Sequence, residues 1–159
     1  MSIYKKLAEL NLTLPEAGAP GGLYSTVRQT GNLLYTSGHT PTKPLYQGKV
    51  GADCSLEQAQ AAAQDSILRL LASLHAYTGD LNKIKGVVKI LCFVASAPGF
   101  TDQPKGANAA SQLLIDLWGE AGARSAVGAA ELPSNVPVEI EGIFELDLEE
   151  VSKFPFKTI

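Results

Sequence analysis

With 159 residues, 45% of them hydrophobic and 18% charged, the chain has the composition of one globular domain that can bury a core without disulfides or structural metals. A net charge of -3 argues against the broad basic footprint of a nucleic-acid-binding protein but leaves room for a local basic pocket. Cys54 and Cys92 stand outside any C-x-x-C or Cys/His spacing, which argues against zinc and points to two reduced thiols, Cys92 within a strand.

The N-terminus, MSIYKKLAEL, has no apolar stretch after its lysines and reads as neither a secretory signal nor a transit peptide. No run approaches a membrane span, so the expected compartment is the cytoplasm. Residues 3–10 fit a short amphipathic helix with Ile3, Leu7 and Leu10 on one face. Residues 15–22 are rich in proline and glycine and read as a loop. A hairpin follows, with strands at Leu23–Arg28 and Asn32–Ser37 around a turn at Thr30-Gly31, and residues 38–53 read mostly as loop.

Ser55-Leu-Glu-Gln58 has the spacing of a capping box. Ala59, Ala63, Ile67, Leu70 and Leu74 then mark one helical face, and Gly79 ends the helix. Residues 84–97 are apolar and β-branched, as in a central strand covered on both sides, and Pro98-Gly99 breaks the run. Asp102 stands at the N-cap of a second helix with Pro104 in its first turn, Ala107, Ala110, Leu114 and Leu117 on its buried face, and Gly119 at its end. Strands near 124–131 and 137–148 complete the order β-β-α-β-α-β-β, an α+β fold with both helices on one face of a mixed sheet. The whole chain, 1–159, reads as a single domain with its core at about 20–148 and a tail over 151–159.

In the last strand, Val138, Ile140, Phe144, Leu146 and Leu148 fall on one face and Glu139, Glu141, Glu145 and Asp147 on the other, with Gly142 and Ile143 interrupting the rows. Arg124 shares a strand face with Ala126, Gly128 and Ala130, which leaves room beside a guanidinium suited to bidentate capture of a carboxylate. An ion pair with Glu139 or Glu141 is the commoner use of such an arginine. Glu139 follows the Leu132-Pro133 turn on the strand expected to pair with that of Arg124, where it can position water or relay a proton, although four acidic residues in one row also describe a solvated face. Tyr24 offers a flat wall or a hydroxyl, and Ser37-Gly38 ends a strand where backbone groups can face a ligand. Asn108 can donate from its helix. His39, alone in a loop, reads as polar surface, and His75 and Trp118 read as structural. Phosphate-loop, dinucleotide, nucleophile-elbow and metal-ligand spacings are absent.

Three stretches carry a resemblance: Gly31-Asn-Leu-Leu-Tyr-Thr-Ser-Gly38, Phe93-Val94, and Ala123-Arg-Ser-Ala-Val127 leading through Leu132-Pro133 into Val138-Glu-Ile-Glu141. In this order, across about residues 20 to 147, they resemble the Rid family, formerly called YjgF and also labelled L-PSP. The leading helix, Gly48-Lys-Val-Gly51 and the segment Ser96 to Pro104 resemble a less-studied branch of it. The resemblance implies a chorismate-mutase-like fold and a homotrimer with ligand pockets in the clefts between subunits. It also implies cofactor-free hydrolysis of reactive 2-imino or enamine acids to 2-keto acids and ammonia. Arg124 matches the family's carboxylate-binding arginine, Glu139 its pocket glutamate, Ser37 and Gly38 its pocket wall, Tyr24 its aromatic residue and Asn108 a further pocket residue. Ala126 stands where many members have a reactive cysteine, and His39 where glutamine is common. The resulting expectation is an imine deaminase acting on a small 2-imino acid, with itself as partner and no metal, membrane or nucleic acid. The alternatives are a non-catalytic trimer binding a small carboxylate or keto acid and, behind it, an endoribonuclease.

Overall fold

The computed structural model describes residues 1–147 and Glu149. Its elements are α1 (Ile3–Glu9), β1 (Val27–Thr30), β2 (Leu33–Thr36), α2 (Leu56–Thr78), β3 (Ile84–Ala95), α3 (Gln103–Trp118), β4 (Ala123–Ala129) and β5 (Val138–Leu146). This is the expected order, behind the short N-terminal helix. Leu148 and the tail from Val151 lie outside the described residues. No helix among the described residues is long and apolar enough to cross a membrane.

Local sequence accounts for the helices. The Gln58 N–H donates to Ser55 Oγ (3.1 Å) and the Ser55 N–H donates to Gln58 Oε1 (2.8 Å), so the capping box forms in full. Gly79 closes α2 in the left-handed region at φ 74°, and Ala59, Ala63, Ile67, Leu70 and Leu74 are fully buried. Asp102 occupies the N-cap position of α3, but its carboxylate makes no capping bond and instead pairs with Lys105 at 3.2 Å.

The five strands run in the order β1-β2-β5-β3-β4, with β3 and β4 parallel and the other neighbours antiparallel. A parallel pair cannot be joined by a tight turn, and α3 supplies the crossover. β5 enters between β2 and β3, so the last strand of the chain becomes the middle of the sheet. This corrects the expectation that the strand of Glu139 lies beside that of Arg124, because β3 separates them. The first strand also begins at Val27 rather than Leu23. Leu23 is exposed, and Gly21 donates its N–H to Tyr24 Oη (3.0 Å), folding residues 21–24 into a strap instead of a strand.

α2 and α3 cover one face of the sheet, burying Leu34, Ile90, Cys92, Val94, Val138, Ile140, Phe144 and Leu146. The alternation of β5 appears as expected, with Glu139, Glu141, Ile143 and Glu145 on the open face. That face is more apolar than the glutamates suggest. Register places Tyr35 and Ile143 beside Lys89, Glu141 beside Leu91 and Ser125, and Glu139 beside Phe93 and Val127. Tyr35 and Val127 remain 42% and 43% exposed, so among the described residues β3 is covered on one side and not on both. Its apolar run reflects a second face that none of the described helices reaches.

Ser55→Ala removes one capping acceptor and strands its reciprocal partner, so it should cost about 1 kcal/mol of stability. Urea denaturation should show a lower midpoint with an unchanged slope.

Candidate functional site

The site begins where the ladder between β2 and β5 slips. Tyr35 pairs with Ile143, but His39 pairs with Ile140, exchanging N–H···O bonds of 2.8 and 3.0 Å. Four steps along one strand therefore face three along the other, which defines a bulge at Thr36–Gly38. The Gly142 N–H, displaced from a backbone partner, donates to Thr36 Oγ1 at 2.9 Å. The extra residue reverses the side on which the next residues project. Gly38 now lies on the open face beside Glu139, and His39 turns inward toward α2.

Gly38 has a direct steric reason to lack a side chain. A Cβ there would collide with the Glu139 carboxylate and stand 2.8 Å from its Cδ. Glu139 thus rests against the bulge, half-buried. Burial pushes its pKa above the ordinary carboxylate value, Glu141 pushes the same way, and Lys43 opposes both.

His39 is the main departure from the surface role read for it. Its Nδ1 lies 2.9 Å from the Ser37 carbonyl, which can only accept, so Nδ1 carries the proton. Nε2 then accepts from the Ser73 hydroxyl at 2.8 Å. Burial holds the imidazole pKa below its ordinary value, the bond to Ser37 opposes this, and nearby Arg69 adds to it. His39 is a neutral ring fixed in one tautomer.

Around this core lies a cavity of about 640 Å³, lined by Tyr24 from the strap, Ser37, Gly38 and His39 from the bulge, Arg69 and Ser73 from α2, Lys43, Ser134 and Glu139. Four of the expected site residues, Tyr24, Ser37, Gly38 and Glu139, therefore come together. Sequence reading missed Arg69, Ser73, Lys43 and Ser134. The available signal was a polar pair four residues apart, Arg69 and Ser73, in the otherwise apolar stretch 67–74 of α2. Ser134 follows Pro133 in a turn where Ser134 and Asn135 both adopt φ near +57°, and Lys43 Nζ donates to Ser134 Oγ at 2.6 Å.

The other expected residues form a second group at the β4 edge. Arg124 projects on the helix-covered face, where Nη1 donates to Asn108 Oδ1 and Ser111 Oγ, both at 3.0 Å, and Nη2 donates to the Pro104 carbonyl at 3.4 Å. All three acceptors are uncharged. The ion pair with Glu139 or Glu141 considered from sequence does not form within the chain, since those carboxylates project from the opposite face. Ala126 follows on the same face, in register with Cys92. The Cys92 thiol is buried and its pKa is pushed up to about 12, so no thiolate stands beside Ala126. Arg124, Asn108 and Ala126 thus lie at the β4 edge of the sheet, and Tyr24, Ser37, Gly38 and Glu139 gather around β2 and the central strand β5, with β3 between. Among the described residues, no three His, Cys, Asp or Glu side chains cluster as a metal site.

The sequence model described as Endoribonuclease L-PSP matches residues 15–145, and the chain belongs to that family. It is 37% identical to protein TCP17 of Trypanosoma cruzi, over 89% of this chain and 92% of that one. It is 30% identical to a 2-iminobutanoate/2-iminopropanoate deaminase of Dermatophagoides farinae, over 86% of this chain and 95% of that one. Among solved structures, Atu1372 of Agrobacterium tumefaciens superposes with a TM-score of 0.83 at 40% identity, covering 91% and 92% of the two chains. The YjgF protein of E. coli superposes at 0.58 with 30% identity, over 82% and 93%. The fold is that of YjgF, and the backbone follows Atu1372 more closely.

A carboxyl group whose folded pKa is raised stabilises the fold below its unfolded pKa and loses that contribution as pH rises through the folded value. Glu139→Gln should therefore melt at a higher temperature than the wild type at pH 7, and the gap should close as pH falls toward 4, as read by thermal scans at both values.

Proposed function

We propose that the chain hydrolyses 2-imino acids to 2-keto acids and ammonia, in a cleft that Arg124 of one copy completes against Tyr24, Gly38 and Glu139 of another. The observation that carries this reading is the split itself. An arginine without a carboxylate stands at one edge of the sheet, and a half-buried glutamate with a raised pKa stands on the opposite face of its middle strand. The apolar row of Leu91, Phe93, Val127 and Ile143 on the open face supports assembly of the copies into a trimer. The 30% identical deaminase of Dermatophagoides farinae supports the reaction class.

The chemistry follows from the residues. Asn108 and Ser111 hold Arg124 in one orientation, so its remaining donors meet a substrate carboxylate with little entropy left to lose. This fixes the C=N carbon of the protonated imine. Water attacks that carbon while Glu139 takes the water's proton, a step favoured by a base with a raised pKa. Glu139 then returns the proton to nitrogen. The carbinolamine expels ammonia, whose nitrogen leaves with the C–N electron pair, and the hydroxyl proton departs to give the keto acid and ammonium. Gly38 leaves space for the glutamate to sit there.

Arg124→Ala should lose on the order of 2–3 kcal/mol of substrate and transition-state binding, roughly a hundredfold in kcat/KM, while the assembly stays folded. A coupled assay that traps 2-iminobutanoate as its semicarbazone reads this directly, and wild-type rates would sink the assignment. Glu139→Gln should be similarly slow. Refolded together, the two variants should recover about a quarter of wild-type activity, because random mixing in a cyclic trimer joins an intact Arg124 to an intact Glu139 at that frequency. No recovery would show that the cleft is not shared.

A further inference from the structure

The cavity beside Glu139 contains more positive charge than a simple 2-imino acid can use. Glu139 is the single carboxylate lining it among the described residues, against Arg69 and Lys43. Neither cation forms an ion pair among the described residues, although Lys43 lies close enough to Glu139 to oppose the rise in its pKa. Arg69 uses Nη1 to clasp the Thr40 and Pro41 carbonyls, at 2.7 and 3.1 Å. Nη2 and Nε make no hydrogen bond to any described residue. Asp65, one helical turn earlier, has the spacing for an ion pair with Arg69 but accepts the Thr42 N–H instead. Lys43 makes its one hydrogen bond among the described residues to the neutral Ser134 hydroxyl. The segment leading into the strap, Ala17-Gly-Ala-Pro-Gly-Gly22, is built of small residues and proline, and a Cβ on Gly18 would lie 3.7 Å from Nη2, so the chain presents no side chain to the guanidinium at that position. Clasping Nη1 also fixes the plane of the fork, so the remaining donors are held ready for an anion.

We propose that Arg69 and Lys43 form a second carboxylate subsite, and that the favoured substrates are 2-imino acids with a carboxylate on the side chain. This rests on the deaminase reading, in which Arg124 takes the carboxylate next to the imine carbon. Arg69 and Lys43 act on selectivity and not on the bond being broken.

The test titrates the full chain by calorimetry with 2-oxoglutarate and with 2-oxobutanoate, whose keto carbon stands for the imine carbon. In parallel, it measures turnover of the imines generated from glutamate and from 2-aminobutyrate by amino-acid oxidases. The dicarboxylate should bind about tenfold more tightly or better at low salt. The ratio should fall to within about twofold in Arg69→Gln and in Lys43→Gln. Lys43 is exposed and its variant should fold even if release of the Thr40 and Pro41 carbonyls weakens the Arg69 variant. Equal affinities in the wild type, or a preference that survives both substitutions, would overturn the subsite. If 2-iminobutanoate is still consumed in that case, the deaminase reading stands alone. Failure to bind either acid, with both imines decaying as in buffer, would overturn both.

Discussion

One residue too many between Tyr35 and His39 determines how this half of the molecule is arranged. In a two-residue period, a single insertion exchanges the faces on which side chains project. Without it, His39 would point away from α2 and Gly38 toward it. With it, the imidazole closes over Ser73, the glycine lies under Glu139, and a cavity opens where the ladder ends. The ladder tolerates the insertion because the Thr36 hydroxyl accepts the Gly142 N–H that would otherwise lack a partner. A side chain at a strand end thus repairs the fault that forms the cavity.

The sheet order adds a second constraint. By entering between β2 and β3, β5 places Glu139 in the middle of the sheet, and the parallel crossover through α3 sends Arg124 to an edge. The crossover also gives the arginine its support, since Asn108 and Ser111 lie on the helix that makes the connection. Positive and negative groups in one chain are kept from neutralising each other by distance and by the sheet between them.

Much of this was legible in the sequence wherever the determinant is local. The capping box at Ser55, the glycine stop at Gly79 and the alternation of β5 each depend on residues a few positions apart, and each took the form the spacing dictates. Neighbour relations between strands are not local, and the pairing assumed for β4 and β5 failed for that reason. The strand start at Leu23 failed because apolar content alone does not separate a strand from a strap held by a tyrosine hydroxyl. His39 was misread because a bulge leaves no mark on a chain read residue by residue. Glu139 and Glu141 are equivalent by alternation, and only the position of Gly38 in space distinguishes them. Arg69 sits on a helix whose apolar stripe dominates the pattern.

The partner of Ala126 across the parallel ladder has a consequence for chemical durability. The thiol at Cys92 is held protonated beneath the sheet, and at the neighbouring position in the arginine's row there is only a methyl group. Peroxide and alkylating electrophiles react with exposed thiolates, and neither finds one here. The arginine edge therefore offers oxidants no exposed thiolate to modify.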